Sequence, residues 1–210
     1  MVENIDTFKQ RLEGKMSETD AELVMFAYAI AKESHRTQQR DGGQRYFEHP
    51  RKGCIVLMDE LKIFDPVLLI AFLLHDTGED TLIWGNLLKD YDEWKKTATF
   101  RLNLICEKAT PIVIGLTKPS IDNKKFYSRE EVYDFYWNNM KNHNEIVLLK
   151  MVDRLINLRE MGDCSAEKIA KQKKETVVVY LPMFQMLEET SYRESYCYLN
   201  NQISTTLSEL

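Results

Sequence analysis

The sequence predicts an all-α fold, a single compact helical domain over residues 1–210. Three observations predict it. Breaks are sparse, with 8 Gly and 5 Pro in the whole chain, so long segments run without punctuation. Most of those segments repeat apolar residues at helical spacing. Helix-start signatures stand ahead of several of them. Hydrophobic residues make up 44% and charged residues 29%, the range of ordinary globular proteins. A chain of this length buries on the order of 70% of its unfolded surface, so a core forms without disulfides or structural zinc.

Taken in order, Thr19 with Glu22 forms a capping box ahead of Leu23, Phe26, Ala27, Ile30 and Ala31, a stripe that carries a helix to about His35. A polar loop over 37–45 contains Gly42-Gly43. Pro50 suits the first turn of the next helix, whose apolar face is Cys54, Leu57, Met58 and Leu61. Asp65-Pro66 is a cap followed by a proline at the first helical position, and it opens an all-apolar helix that ends at His75-Asp76. Beyond Thr81 the pattern loosens until 112–116, an apolar run that fits a short strand or a helix end, so a short β element near 112–118 stays open. A polar, lysine-bearing loop covers 119–127, and Ser128 with Glu131 caps a helix bearing Val132, Phe135, Tyr136 and Met140. Ile146, Leu149, Val152 and Ile156 mark another helix, on which Asp153 and Asn157 share one face. Two more helices are expected at about 166–186 and 190–207.

Composition excludes several function classes. The chain has 28 basic and 33 acidic residues, a formal net charge of -5, so its overall field repels DNA, RNA and anionic membranes. A polyanionic ligand must therefore meet a local basic patch. Residues 36–52 supply one, with Arg36, Arg40, Arg45, Arg51 and Lys52 against Asp41 and Glu48. The most apolar run, 67–74, is far shorter than the roughly 20 residues a membrane helix needs. Cys54, Cys106, Cys164 and Cys197 form no CxxC pair, and no targeting segment opens the chain, which fits reduced thiols in a cytoplasm. Sequence signals set no oligomeric state.

Four ligand-type residues stand at helix ends or inside a helix: His49, the adjacent pair His75-Asp76, and Asp153. Two imidazoles and two carboxylates suit a borderline or hard divalent ion such as Mn, Fe or Zn. Any one of them alone reads first as a cap or a satisfied core residue. Context shifts the balance, because His75-Asp76-Thr77-Gly78-Glu79-Asp80-Thr81 sets four such groups directly after an apolar helix, a cluster costly to bury without compensation. Glu79 and Asp80 then suit a general-base role beside an ion that acidifies water. With 4 His in all, only His35 and His143 remain for a second ion, so one metal is the economical count.

These residues resemble the HD phosphohydrolase superfamily, and the flanking blocks narrow the likeness. His35-x-x-Gln38-x-Arg40-x-x-Gly43-x-x-Tyr46-x-x-His49-Pro50, Leu74-His75-Asp76-Thr77-x-Glu79-Asp80-Thr81, Gly115-Leu116-Thr117-Lys118 and Lys150-x-x-Asp153-Arg154-Leu155-x-Asn157-x-Arg159 resemble the hydrolase domain of the RelA/SpoT alarmone enzymes. Glu175-Thr176 and Tyr180-Leu181-Pro182 are similar to the end of that domain. The likeness covers about residues 20–185 and implies a stand-alone small alarmone hydrolase. It implies His49, His75, Asp76 and Asp153 as ligands of one Mn²⁺, with Fe, Zn or Co also admitted by the ligand set. It implies Glu79 and Asp80 as water-activating acids. It also implies Arg40 and Asn157 near the nucleotide, and Arg154 and Lys150 are further candidates for phosphate contact. The implied reaction is hydrolysis of the 3′-pyrophosphate of guanosine tetra- or pentaphosphate to GDP or GTP and pyrophosphate.

Departures fall at Gly42-Gly43-Gln44-Arg45-Tyr46, where the family commonly has Ser-Gly-Glu-Pro-Tyr. Ile156 replaces a common His, and Gly78 replaces a β-branched residue. They keep adenine alarmones, the ribose phosphate of NADPH and other nucleotide phosphohydrolase substrates open, along with a non-catalytic scaffold or an antitoxin acting by contact. Residues 84–108 carry almost no family signal and read as a lid, a partner surface or a divergent helix pair. The group Lys168, Lys171, Lys173 and Lys174 reads as a solvated helix face.

Overall fold

The computed structural model describes residues 3–40, 42–118, 129–141, 143–162 and 164–210. Among them the regular elements are all helices, with no strand. The chain divides into two compact units, Met1–Gln38 with Arg45–Tyr127 and Gln39–Gln44 with Ser128–Leu210.

In the first unit, α1 (Ile5–Leu12) starts on a capping box formed by Asn4 and Thr7. α2 (Glu18–Ser34) starts on Ser17, whose hydroxyl oxygen accepts the Asp20 N–H at 3.1 Å. The Thr19–Glu22 box expected to open this helix begins within its first turn, two residues past the cap. Ser17 holds the extended backbone that a cap requires, whereas Thr19 is already helical. α3 (Glu48–Ile55) runs on into a π-turn, Val56–Glu60, and buries Cys54, Leu57 and Met58 as their spacing predicts.

α4 (Pro66–Leu74) is capped by Asp65, whose carboxylate accepts the N–H groups of Val67 and Leu68. Leu68 to Leu74 are all buried, the mark of a helix covered on every side, and α2, α3 and α7 pack on it. Gly53 makes the α3 contact: a Cβ there would stand 1.8 Å from the Phe72 ring, so any larger residue would push the two helices apart. α5 (Thr77–Asp80) is a single turn, and α6 (Tyr91–Cys106) is capped by Asp90. The run left open between strand and helix is α7 (Thr110–Leu116). Pro111 in its first turn and burial of Ile112, Val113, Ile114 and Leu116 override the strand preference of β-branched residues.

The second unit contains α8 (Arg129–Met140) and α9 (Asn144–Arg159), with α10 (Ala166–Glu175) running into a π-turn at Thr176–Tyr180. α11 (Leu181–Phe184), a 3-10 turn at Gln185–Leu187 and α12 (Arg193–Glu209) complete it. The single helix expected at about 166–186 is a continuous helical run to Leu187, with the π-turn at Thr176–Tyr180 standing just ahead of Pro182. α9 is buried from Ile146 to Ile156 and is packed by α8, α11 and α12. The expected Ser128 cap and the lysines at 124 and 125 lie outside the described residues. No helix among the described residues is long and apolar enough to cross a membrane.

Candidate functional site

The close approach of α3 and α4 brings two imidazoles together. His49 and His75 are 1% and 4% exposed, with ring centroids 5.6 Å apart. His75 Nδ1 lies 2.7 Å from the Phe72 carbonyl, which only a protonated Nδ1 satisfies, so in the neutral ring it is Nε2 that carries the lone pair. Asp76 stands beside both rings, with Oδ1 3.1 Å from His75 Nε2 and Oδ2 3.8 Å from His49 Nε2. An imidazole fixed in one tautomer by a backbone carbonyl, with a carboxylate beside it, is the donor chemistry of a divalent-metal ligand set.

The two acids of α5 are each tied to a different partner. Glu79 Oε1 is 3.0 Å from the Lys118 ammonium, and its other oxygen accepts the Lys118 N–H at 3.4 Å. Lys118, the last residue of the Gly115-Leu116-Thr117-Lys118 block, thus holds an acid of the site. Asp80 Oδ2 is 2.6 Å from the Tyr46 hydroxyl, which also lies 3.1 Å from Asp76 Oδ2. Gln38 donates to the Asp80 carbonyl at 2.6 Å, and its side-chain oxygen meets His35 Nδ1 at 2.6 Å. Burial holds the His35 imidazole below the usual histidine range, outweighing the Gln38 hydrogen bond and the nearby Asp76 and Asp80 carboxylates. The ring is therefore neutral near pH 7, and Nδ1–H is the donor to Gln38. In the sequence His35, Gln38 and Tyr46 were motif letters without a role.

The segment with almost no family signal supports the same turn. Trp84 Nε1 donates to Thr77 Oγ1 at 2.7 Å, and Thr77 in turn donates to the Leu74 carbonyl at 2.6 Å. At Gly78 a Cβ would stand 2.9 Å from the Trp94 ring and 3.0 Å from Thr117 Oγ1, so the β-branched residue common at this position does not fit beside Trp94. Sequence reasoning missed both tryptophans, and spacing alone carried no signal for them. A shallow groove beside the turn is lined by Glu79, Asp80, Leu82, Asn86 and Leu87.

In the second unit, α9 gathers the later motif. Asp153 is 6% exposed. Its Oδ2 accepts from Lys150 Nζ at 2.7 Å and its Oδ1 from Asn157 Nδ2 at 2.7 Å. Burial pulls the Lys150 ammonium toward the neutral form, but Asp153, with Tyr136 and Tyr180, outweighs it and leaves the lysine well above its usual range. Arg40 donates to Asn157 Oδ1 at 2.5 Å and pairs with Glu160 at 3.2 Å. The loop that carries Arg40 closes by hydrogen bonds from Gly43 N to Arg40 O and from Arg40 N to Gln44 O, at 2.8 and 2.9 Å. Gly43 takes φ +75° there, a conformation that favours glycine. Arg154 is committed elsewhere: it is 6% exposed, donates to Gln172, faces Glu175 at 3.7 Å and lies 3.9 Å over the Tyr180 ring. The last sequence block, Glu175 and Tyr180, therefore serves as the seat of Arg154. Ile156, where the family commonly has His, is 3% exposed in the core.

No protein-family model matches the chain. Among curated proteins it is 34% identical to the guanosine-3′,5′-bis(diphosphate) 3′-pyrophosphohydrolase of Aquifex aeolicus over 78% of this chain and 21% of that protein. It is 33% identical to a GTP pyrophosphokinase of Streptomyces coelicolor over 75% of this chain and 17% of that protein. It is 26% identical to the bifunctional (p)ppGpp synthase/hydrolase SpoT of Escherichia coli over 85% of this chain and 24% of that protein. The chain thus spans about a fifth of the length of the curated relatives it matches. Among solved structures, one described as a metazoan orthologue of SpoT that hydrolyses ppGpp superposes with a TM-score of 0.62 at 20% identity, covering 89% of this chain and 94% of that one. The chain is therefore a homologue of part of the RelA/SpoT proteins, with an all-helical fold like that of the metazoan neighbour.

Proposed function

We propose that this chain hydrolyses the 3′-pyrophosphate of guanosine tetra- or pentaphosphate, releasing pyrophosphate and leaving GDP or GTP. The observation that carries the reading is the pair of buried, adjacent imidazoles beside Asp76, followed within one turn by two acids held by Lys118 and Tyr46. The names of the Aquifex relative and of the metazoan structure support it. His49, His75, Asp76 and Asp153 are the proposed ligands of one divalent ion, Mn²⁺ by family likeness. The buried imidazoles of the first unit and the buried carboxylate of the second are the donor types such an ion takes. When bound, the ion would supply Lewis acidity toward water and the phosphoryl group.

The chain's own residues do the rest. The fixed tautomer of His75 presents Nε2 as a lone pair rather than a proton. Asp80 and Glu79 accept the proton of the attacking water, a general-base role. Lys150 and Asn157 hold both oxygens of Asp153 in place. Arg40, oriented by Asn157 and Glu160, meets the anionic substrate that the net charge of -5 repels. Arg154 contributes by fixing α10 against α9 and not by touching nucleotide.

The test is a substrate panel of guanosine and adenosine 3′-pyrophosphates, NADPH and ordinary nucleotides, with and without Mn²⁺, scoring pyrophosphate and orthophosphate separately. Mn²⁺-dependent pyrophosphate release from the guanosine compound, abolished by His75→Ala, is the expected result. Orthophosphate from another nucleotide keeps the metal chemistry and discards this substrate. No turnover anywhere on the panel discards the enzymatic reading.

A further inference from the structure

Resting on that reading, we propose that Tyr46 is a positioning residue for the hydrolysis, its hydroxyl clamping the Asp80 carboxylate while its ring is held flat by His35. α5 is only four residues long, and a single turn has little helical stability of its own. Asp80 therefore gains from external restraint, and Tyr46 and Gln38 supply it from outside the turn. The carboxylate is held by the Tyr46 hydroxyl at 2.6 Å and the backbone carbonyl by Gln38 at 2.6 Å. A phenol has one proton, and a carboxylate only accepts. The 2.6 Å contact has the length of a charge-assisted O–H···O⁻ bond, so the proton points to Asp80, with Asp76 at 3.1 Å as the weaker contact.

Both restraints lead back to His35. Its ring stacks on Tyr46 with centroids 4.5 Å apart and planes inclined by 19°. Its Nδ1 fixes the Gln38 amide at 2.6 Å. His35 itself is buried, 1% exposed, at the C-terminal cap of α2. The spacing of His35, Gln38 and Tyr46 thus has a purpose that ligand counting did not reveal: a stacked ring, an amide and a phenol converge on one acid of a turn too short to hold it. A reactive carboxylate displaced by about 1 Å loses on the order of 100-fold in rate.

Tyr46→Phe keeps the ring and its stack and removes only the hydroxyl. With Mn²⁺ and the guanosine substrate, kcat should fall about 100-fold, while KM and the Mn²⁺ dissociation constant measured by calorimetry stay within about threefold. In an Asp80→Asn background the same change should cost nothing further. His35→Phe preserves the stack but frees Gln38, and should lose kcat to a smaller extent. A crystal structure of Tyr46→Phe should show the Asp80 carboxylate rotated away from position 46. An unchanged kcat, a loss additive with Asp80→Asn, or Mn²⁺ affinity falling in step with kcat would each overturn the proposal, the last because the hydroxyl would then serve Asp76. If the wild-type chain binds Mn²⁺ but turns over nothing, the hydrolase reading fails and the clamp is judged on the crystal structure alone, where an unmoved Asp80 carboxylate refutes it.

Discussion

The turn that carries Glu79 and Asp80 and the stretch of α9 from Lys150 to Asn157 both concentrate charge, yet they are held in opposite ways. On α9 the Asp153 carboxylate is buried and its two hydrogen-bond donors are local: Lys150 reaches it from three residues before, and Asn157 reaches back four. On α5 the acids are part-exposed and rely on partners distant in sequence, Lys118 for Glu79 and Tyr46 with Gln38 for Asp80. Helical periodicity assembles the first set wherever the helix forms. Nothing short of the folded unit assembles the second. The difference teaches where function is fragile: the α9 cluster is coupled to stability, the α5 pair to geometry.

The comparison can be broken first at α5. Asp80→Asn keeps the shape and removes the base, and should lower the pyrophosphate-release rate by about 10²–10⁴-fold, with a melting temperature close to wild type. If stability collapses instead, the acid is structural and the contrast disappears. The counterpart on α9 is Lys150→Met, which leaves the buried Asp153 without its ammonium. It should cost about 3–5 kcal/mol in a urea titration, a far larger stability loss than Asp80→Asn shows.

A smaller effect sharpens the role of the segment after the acids. Gly78→Val drives its side chain into the Trp94 ring and should destabilise by about 1–3 kcal/mol, with Trp94→Leu in the same chain recovering part of the loss. If the single change is neutral, Trp94 does not shape the turn. The smallest effect is on the pH dependence of stability. His35 is held below the usual histidine range by burial, so between about 6.5 and its lower folded value the unfolded chain binds a proton that the folded chain refuses. Stability from this group is complete above that window and is lost as pH falls through it. Thermal melts from pH 7 downward should therefore decline more steeply for wild type than for His35→Phe; equal slopes would show that His35 is not held neutral.

Much of this was legible in the sequence, and the exceptions share a cause. The all-apolar run after Asp65-Pro66 could only be a covered helix, and it is α4. Asp153 and Asn157, four apart, had to share a face, and they are hydrogen-bonded. By contrast 112–116 stayed ambiguous, because so short an apolar run carries no period, and burial against α4 and α6 behind Pro111 decides for helix. Arg154 read as a nucleotide contact because a motif arginine on the ligand-bearing helix invites it, yet Gln172, Glu175 and Tyr180 occupy it. His35 carried no role in the sequence, because its contacts with Gln38 and Tyr46 exist only in the folded unit.

What the sequence determined by itself is the helical class and helix starts such as that of α4 at Asp65-Pro66, because caps and periodicity are properties of neighbouring residues. What only the tertiary structure decided is which charge meets which. A hydrogen bond between Tyr46 and Asp80, or an ion pair between Lys118 and Glu79, joins positions more than thirty residues apart, and no local interaction encodes it. Those contacts exist because burying α4 brings its neighbours together around it, Gly53 admitting α3 and Gly78 admitting Trp94, and close packing leaves each side chain only one place to go.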